Sequence, residues 1–292
     1  MNKKIVVITD DNSGFNKEEA NKLNIKVLKM PIIIDGEVFF ENETITKEEF
    51  FDRLNKNEDI STSQPSPGII IEMWEDLLKE YDYILHIPMS SGLSASCQTA
   101  LSLAEDKEFI DKVFVVDNHR ISVTLKQSVY DAITLINKGL TPKEIKEKLE
   151  NEASNASIYI SVDTLKYLKK GGRITPSAAL IGEALHIKPV LQLFGGKLDS
   201  YKKCLGTKQA VNALKTAIKN DLETKFKDCS RDELVFSAAY TGKDDTIIKK
   251  VVEEIKEELN IDTPIIIDHL SLSVSTHIGE GALALTISKK VL

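Results

Sequence analysis

The fold of this chain is indicated most directly by residues 83–96, which run Tyr83-Ile84-Leu85-His86-Ile87-Pro88-Met89-Ser90-Ser91-Gly92-Leu93-Ser94-Ala95-Ser96. The first part is a largely apolar run of strand length that ends at a proline. Residues 95–105 continue with the spacing of a helix. A strand without alternation that leads into a helix is typical of a parallel sheet covered by helices on both faces.

The same alternation continues on both sides of this segment. Strand-like runs lie at 5–8, 27–34 and 113–116, and helical patterns at 17–23, 47–54, 69–80 and 121–137. Thr141-Pro142-Lys143-Glu144 predicts a further helix, because it combines a capping box with a proline at the first helical position. The pattern predicts a doubly wound, three-layer α/β/α N-terminal domain with a parallel sheet over residues 1–155.

The second half of the chain predicts another α/β unit. Strand-like runs lie at 157–162, 188–193, 234–240, 264–267 and 283–288, with helical patterns at 164–169, 208–222 and 246–259. This spacing favours a C-terminal domain with a mixed sheet over residues 156–292. Because no Gly/Ser linker separates the halves, we expect the domains to pack tightly and to bury a ligand at their seam.

Composition excludes several classes of function. The chain has 292 residues and a net charge of −7, which argues against nucleic acid or an anionic membrane surface as a partner. Its first apolar run is too short for a signal peptide or a membrane span, so we expect a cytoplasmic protein without a transmembrane segment. The three cysteines form no CxxC pair, so neither a disulfide framework nor a structural zinc site is indicated.

Nucleotide and metal motifs are also absent from the sequence. It contains no GxxxxGK[ST], no GxGxxG after a strand, no HExxH and no cluster of His and Asp at metal-ligand spacing. We therefore expect no metal, no cofactor and no catalytic residue of a kinase or dehydrogenase that acts alone.

Hydroxyl-rich turns are the first candidate site. Ser61-Thr62-Ser63-Gln64-Pro65-Ser66-Pro67 precedes a helix with Ser66 as N-cap, and hydroxyls beside free helix amides suit one negative charge. The segment is equally explained as a plain capped turn. Ser94 follows a strand end, where α/β sheets usually bind ligands, and we expect its hydroxyl to face that crevice.

Two further segments bring a histidine and an arginine. Ser275-Thr276-His277-Ile278-Gly279-Glu280-Gly281 has glycines that let backbone approach a ligand and a histidine that offers a hydrogen-bond donor. Leu165-Lys166-Tyr167-Leu168-Lys169-Lys170-Gly171-Gly172-Arg173-Ile174 predicts a helix that ends at a double glycine, and its basic last turn is explained by the helix dipole alone.

Taken together, these strings strongly resemble the DegV family. The resemblance covers essentially the whole chain, and its most specific parts are TSQPS at 62–66 and YLKKGGRI at 167–174. Further matches are Thr9-Asp10, Ser90-Ser91-Gly92-Leu93-Ser94, Val116-Asp117, Lys188-Pro189-Val190-Leu191 and His277-Ile278-Gly279.

The resemblance implies a fatty acid of the palmitate or oleate class, buried between the two domains. Thr62, Ser94 and His277 would hold its carboxylate, supported by the loops of Ser63, Ser91, Gly92 and Gly279. FakB-type members present the acid to a FakA-like kinase subunit, which uses ATP and magnesium to make an acyl phosphate for phospholipid synthesis. Such members usually carry an arginine in line with Leu205, so Arg173 and Lys203 are the candidate kinase-docking residues here.

Three points stay open at the level of sequence. The candidate residues of the acyl tunnel could equally be ordinary core; they are Ile121, Leu165, Leu168, Leu180 and Ile181. The order Ser94, Asp, His277 also matches a serine esterase of the α/β-hydrolase type, with Asp244, Asp262 or Asp268 as third member. In a third interpretation, the lipid only fills space in an interaction or regulatory protein.

Overall fold

The computed structural model describes residues 3–181, 187–194 and 196–291, with side chains for all of these except Phe194. The strands are β1 (Ile5–Asp10), β2 (Ile25–Leu28), β3 (Ile32–Ile34), β4 (Glu37–Phe39), β5 (Ile60–Thr62), β6 (Tyr83–Ile87), β7 (Val113–Val115), β8 (Ala156–Ser161), β9 (Ile187–Phe194), β10 (Lys197–Leu205), β11 (Leu234–Tyr240), β12 (Ile266–His269) and β13 (Leu283–Lys289). The helices are α1 (Lys17–Leu23), α2 (Lys47–Asn55), α3 (Pro67–Leu77), α4 (Ser96–Ala104), α5 (Ser122–Asn137), α6 (Pro142–Asn151), α7 (Lys166–Gly171), α8 (Pro176–Ala179), α9 (Gly206–Glu223), α10 (Thr246–Leu259) and α11 (Leu272–Ile278).

The N-terminal half contains a parallel sheet with strand order β2-β1-β6-β7. Its two faces are both buried, because successive side chains of a strand point to opposite sides. Val7 and Leu85 pack towards α5 and α6, whereas Val6 and Ile8 pack towards α3 and α4. The predicted three-layer arrangement is confirmed.

The predicted single strand over 27–34 is wrong. The chain leaves the parallel sheet after Leu28, and the Met30 amide donates to the buried carboxylate of Asp11 at 3.1 Å. Pro31 then lacks a backbone donor for a continuing ladder. Residues 32–34 instead form β3, the middle strand of a small antiparallel sheet with order β4-β3-β5. This small sheet was not predicted, and Thr62 lies at the end of its strand β5.

The C-terminal half contains a mixed sheet with order β10-β9-β8-β13-β11-β12, as expected for the second domain. Helices α9 and α10 cover one face, where Val190, Phe236 and Leu285 are buried. The other face carries Ile160, Leu191 and Ala284, and it points towards α7, α11 and the start of α5. The sequence patterns gave no indication of β10, an edge strand whose side chains are mostly partly or fully exposed.

Helix α5 lies between the two large sheets. Leu125 and Val129 pack on the parallel sheet, while Val123 belongs to the core on the inner face of the mixed sheet. Lys126 on the same helix is 3% exposed and bonds the carboxylates of Glu19 at 3.2 Å and Asp268 at 3.0 Å. This ion network connects α1, α5 and β12 across the seam. The predicted domain boundary at 155/156 falls between α6 and β8 and stays a prediction.

Replacing Lys126 tests how strongly this network holds the two halves together. Lys126→Met should lower the free energy of unfolding by about 2 kcal/mol, because Glu19 and Asp268 lose the cation that lies between them; partial exposure of Glu19 keeps the loss below that of a fully buried pair. Urea denaturation measures the change, with Lys138→Met at the exposed end of α5 as the matched control. Equal stability of the two variants would contradict a structural role for the network.

Candidate functional site

A cavity of about 170 Å³ lies between the inner face of the mixed sheet, the start of α5 and α11. Most of its lining residues are apolar, and they come from both halves of the chain. The apolar ones are Met30, Met89, Leu93, Ala95, Ile121, Ile158, Ile160, Leu168, Leu193, Leu198, Ala239, Leu270, Val274, Ile278 and Ala284. The polar ones are Asn12, Thr62, Ser63, Gln64, Ser94, Ser122, Arg173, Ser273, His277 and Thr286.

Thr62, Ser94 and His277, three widely separated residues, line this one cavity. The Thr62 hydroxyl oxygen and His277 Nε2 are hydrogen-bonded at 2.8 Å. Ser94 Oγ accepts the Ser96 amide at 3.2 Å and donates to the Ser96 hydroxyl at 3.1 Å. The cavity therefore has the hydrogen-bonded Thr62–His277 pair and the Ser94 hydroxyl in a lining that is mostly apolar.

Helix α11 places His277, and the sequence pattern had suggested a glycine-rich loop there. Ser271 caps the helix by accepting the Val274 amide, and the Glu41 carboxylate accepts the Leu272 amide at 2.8 Å. The helix ends at Gly279, whose φ of 84° is in the region that favours glycine. The short N-capped run 271–278 was overlooked because its apolar residues are too few to show a helical period.

Three glycines are needed for close approaches around the site. A Cβ atom at Gly171 would overlap His277 Nδ1, and one at Gly92 would overlap the backbone of Gly196 in the turn between β9 and β10. A Cβ atom at Gly279 would meet the ring of Tyr167 at 2.7 Å. The imidazole is thus held between the end of α7 and the hydroxyl of Thr62.

His277 is neutral at physiological pH. Burial, together with the positive charges of Arg173 and Lys170, lowers the pKa of its imidazole to about 4. Arg173 Nε donates to the Leu93 carbonyl at 3.2 Å, and its Nη1 donates to the Gly171 carbonyl. Among the described lining residues Arg173 is the only charged one, so the cavity has a positive charge near a neutral histidine.

Arg173 and Lys203 differ in their surroundings, although both are candidates for kinase docking. Arg173 is half-buried and lines the cavity, so it is available to a ligand inside the protein. Lys203 is exposed on β10 and lies two residues before Leu205, which is 65% exposed. The GGR turn after α7 was the signal in the sequence that could have assigned Arg173 to the cavity.

The acyl-tunnel candidates separate into three groups. Ile121 and Leu168 line the cavity, whereas Leu165 and Ile181 are buried in the neighbouring core without being among its described lining residues. Leu180 does not line the cavity; it follows the short helix α8 and is 84% exposed.

The residues predicted to support the head group differ in whether they line the cavity. Ser63 lines the cavity. Gly92 and Gly279 act through the backbone approaches above, and the Ser91 amide donates to the Asp117 carboxylate at 3.3 Å.

Other polar residues of the site were not predicted. Asn12 and Ser273 both line the cavity, and the Asn12 side-chain oxygen accepts the Ser273 hydroxyl at 2.6 Å and the Ser271 hydroxyl at 2.7 Å. Gln64 lies inside the TSQPS string, and its side-chain oxygen accepts the Thr99 hydroxyl at 3.0 Å. Only Gln64 had a signal in the sequence.

The hydrogen bonds are not those of an esterase. His277 Nε2 contacts Thr62, and Ser94 bonds Ser96. Of the proposed third members, Asp268 is paired with Lys126, Asp244 accepts from Thr246, and Asp262 is exposed between α10 and β12. Nδ1 of His277 faces Gly171, so no carboxylate orients the ring in the part of the chain that the structure describes.

The described ranges lack two further features. No group of His, Cys, Asp and Glu side chains within them is arranged to hold a metal ion. Within the same ranges, no helix combines the length and the hydropathy that crossing a bilayer requires.

Comparisons with known proteins identify the family. A family model described as "Uncharacterised protein, DegV family" matches residues 4–290. The chain belongs to the DegV family. A DegV domain-containing protein of Staphylococcus aureus is 30% identical over 291 residues, which cover 98% of this chain and 99% of the relative.

Solved DegV structures share this fold. A DegV family protein from Thermus thermophilus, whose structure is described as showing fatty acid binding, is 26% identical to this chain. The match covers 98% of this chain and 99% of the Thermus chain, with a TM-score of 0.85. The fatty acid binding DegV family protein of Streptococcus agalactiae is also 26% identical, covers 99% of both chains, and has a TM-score of 0.84.

The low pKa of His277 predicts how stability responds to acid. The unfolded imidazole takes up a proton near its ordinary pKa of 6.5, but the folded one does so only near 4. Between these values this residue therefore makes the free energy of unfolding fall as pH falls, by up to about 1.4 kcal/mol per pH unit. Above the window, its contribution is fully retained.

His277→Gln should flatten that slope, and comparison with the parent cancels the opposite contribution of Asp10, whose pKa burial raises to about 6. Urea denaturation at a series of pH values measures the slope. In addition, NMR should show the imidazole resonance that His277→Gln removes titrating near pH 4. A midpoint at or above the ordinary value would contradict the buried, neutral ring.

Proposed function

We propose that this protein binds one long-chain fatty acid, of the palmitate or oleate class, and presents its carboxylate to a separate kinase subunit in the cytoplasm. The observation that carries the binding step is the apolar cavity with Thr62, Ser94, His277 and Arg173 in its lining. The solved relatives from Thermus and Streptococcus, which have the same fold, are described as fatty acid binding.

The apolar walls provide the affinity. Burial of about 14 methylenes at roughly 0.8 kcal/mol each gives on the order of 11 kcal/mol before the costs of binding are subtracted. The tail would run along the inner face of the mixed sheet, past Ile160, Ala284 and Thr286. The Thr286 hydroxyl already donates to the Ser237 carbonyl at 3.3 Å, so it is not left unpaired against a hydrocarbon chain.

The polar groups provide orientation. If the neutral His277 carries its proton on Nε2, it donates to the Thr62 oxygen and leaves the threonine hydrogen free for a carboxylate oxygen. The opposite tautomer would use that hydrogen internally, so carboxylate binding selects the first one. Ser94 offers a second hydroxyl, and Arg173 offers the charge that a buried carboxylate needs.

The kinase step is supported by where the polar groups lie. Ser63 and Ala95 line the cavity and are also exposed, so this end of the cavity is close to the protein surface. A partner that brings ATP and magnesium could reach a carboxylate held there and form an acyl phosphate. The family resemblance supplies the identity of that partner, a FakA-like kinase.

Lipid extraction tests the binding step. One fatty acid per chain should appear in native mass spectrometry and in an organic extract of the purified protein. Thr62→Val should weaken palmitate binding by about tenfold or more, since it removes a hydrogen bond to a charged group. Thr134→Val, whose hydroxyl bonds the Tyr130 carbonyl within α5, is the matched control and should bind as the parent does.

An empty protein that also refuses added palmitate and oleate would exclude the proposal. Equal affinity of Thr62→Val and Thr134→Val would leave the lipid in place but remove Thr62 from the head-group site.

Docking is tested by reconstitution with a fatty acid kinase subunit, ATP and magnesium. Lys203→Ala should raise the KM for the loaded carrier about threefold to tenfold, because an exposed charge at an interface mainly steers association. Lys202→Ala, the exposed neighbour on the opposite face of β10, should leave KM unchanged. The same KM for both variants would remove Lys203 from the interface, and failure of the parent to yield acyl phosphate would exclude presentation itself.

A further inference from the structure

A second cavity of about 520 Å³ lies behind the first one. Ile158 and Leu193 line both cavities, so the two share a wall on the inner face of the mixed sheet. We name the second cavity the rear chamber. Its inner part is formed by Arg120 and Thr124, which are buried, and its rim by His119, Asn151, Ser154 and Lys225, which are exposed.

The backbone before α5 sends adjacent side chains into different cavities. Arg120 lines the rear chamber, whereas the next residue, Ile121, lines the first cavity. The flanking residues His119 and Ser122 have φ values of 57° and 55°, a left-handed conformation that is costly for side chains other than glycine. The fold maintains this conformation, and it places a guanidinium beside the rear chamber.

The Arg120 side chain is buried without an ion-pair partner. The residue is 1% exposed; Nη1 donates to the Ser128 hydroxyl at 3.4 Å and Nη2 to the Glu152 carbonyl at 3.0 Å. Its Nε has no hydrogen-bond partner, and within the described residues no carboxylate lies at ion-pair distance from the guanidinium. A buried cation in this state is stabilised by an anion that can form hydrogen bonds with it.

No carboxylate among the chamber's described lining residues pairs directly with Arg120. Glu150 lines it, but its carboxylate already accepts the Asp117 amide and the Lys146 ammonium. Lys225 at the rim donates to the Ala156 carbonyl at 2.7 Å and keeps its charge near the opening. The carboxylates of Asp131 and Glu152 both act on Arg120, but only from beyond ion-pair distance.

We infer that the rear chamber binds a carboxylate group against Arg120. Because the chamber shares a wall with the first cavity, one source of that group is the far end of a long-chain dicarboxylic acid whose first carboxylate lies at Thr62 and His277. The other source is a small free carboxylate that enters from the rim. The first source depends on the proposed fatty acid binding, whereas the second does not.

Diacids and monoacids distinguish these cases. Hexadecanedioic, octadecanedioic and eicosanedioic acids are compared with palmitate by competition against a fluorescent fatty acid, on the parent protein and on Arg120→Met. A tunnel with an apolar end would reject a second charge, but here at least one diacid should bind within about tenfold of palmitate, and Arg120→Met should weaken it about tenfold or more. Palmitate binding should change less than about twofold, because palmitate has no second carboxylate to pair with Arg120.

Two further variants test the same site if Arg120→Met fails to fold. Arg120→Lys retains the charge without the planar fork and should keep part of the diacid affinity. Lys225→Met at the exposed rim should weaken diacids by a smaller factor, and exposed Lys227→Met, which does not line the chamber, is its matched control. Glutarate added alone, with thermal unfolding as the readout, tests the free carboxylate.

Diacid binding that depends on Arg120 supports the inference with a lipid as the source. Glutarate stabilisation that depends on Arg120, without diacid binding, supports the carboxylate site and assigns it to free anions. If neither diacid affinity nor stabilisation by glutarate changes when Arg120 or Lys225 is replaced, the inference is overturned. Failure of palmitate to bind the parent excludes the proposed function separately, because the glutarate measurement does not require it.

Discussion

The burial of α5 on two sides is the constraint on which the rest of this structure depends. A helix at the edge of a domain buries one stripe, but α5 packs Leu125 and Val129 on the parallel sheet and Val123 on the core beside the mixed sheet. Helix α5 therefore separates the two sheets. The space that α5 does not fill, beyond its first turn, is the cavity that Ser122 and Ile121 line.

The layered architecture could be predicted from the sequence because it depends on local periodicity. Tyr83–Ile87 and Thr246–Leu259 have long, regular patterns, and they form the predicted elements. The small sheet and α11 were not predicted, because β4 and β5 are three-residue strands of mixed polarity and α11 has only three apolar residues among its seven. Strand 27–34 was mistaken because apolar composition does not reveal where a chain changes sheets.

The site was partly predictable for a different reason. Thr62, Ser94 and His277 were chosen from turn chemistry and family strings, and the fold brings all three to one cavity. Arg173 was a candidate for kinase docking, and the sequence did not indicate that its side chain lines the cavity and donates to the Leu93 and Gly171 carbonyls. Asn12 had no signal, because its role depends on two serines about 260 positions away, Ser271 and Ser273.

The hydrogen bond between Thr62 and His277 joins residues that are 215 positions apart. Contacts of such separation require most of the intervening chain to be ordered first, which is slow and entropically costly. This polar pair in the cavity lining is thus a late product of folding, absent from either half alone. Any molecule that binds there stabilises only the state in which both halves are docked. Occupancy of the cavity would therefore favour the completely folded chain over partly folded forms.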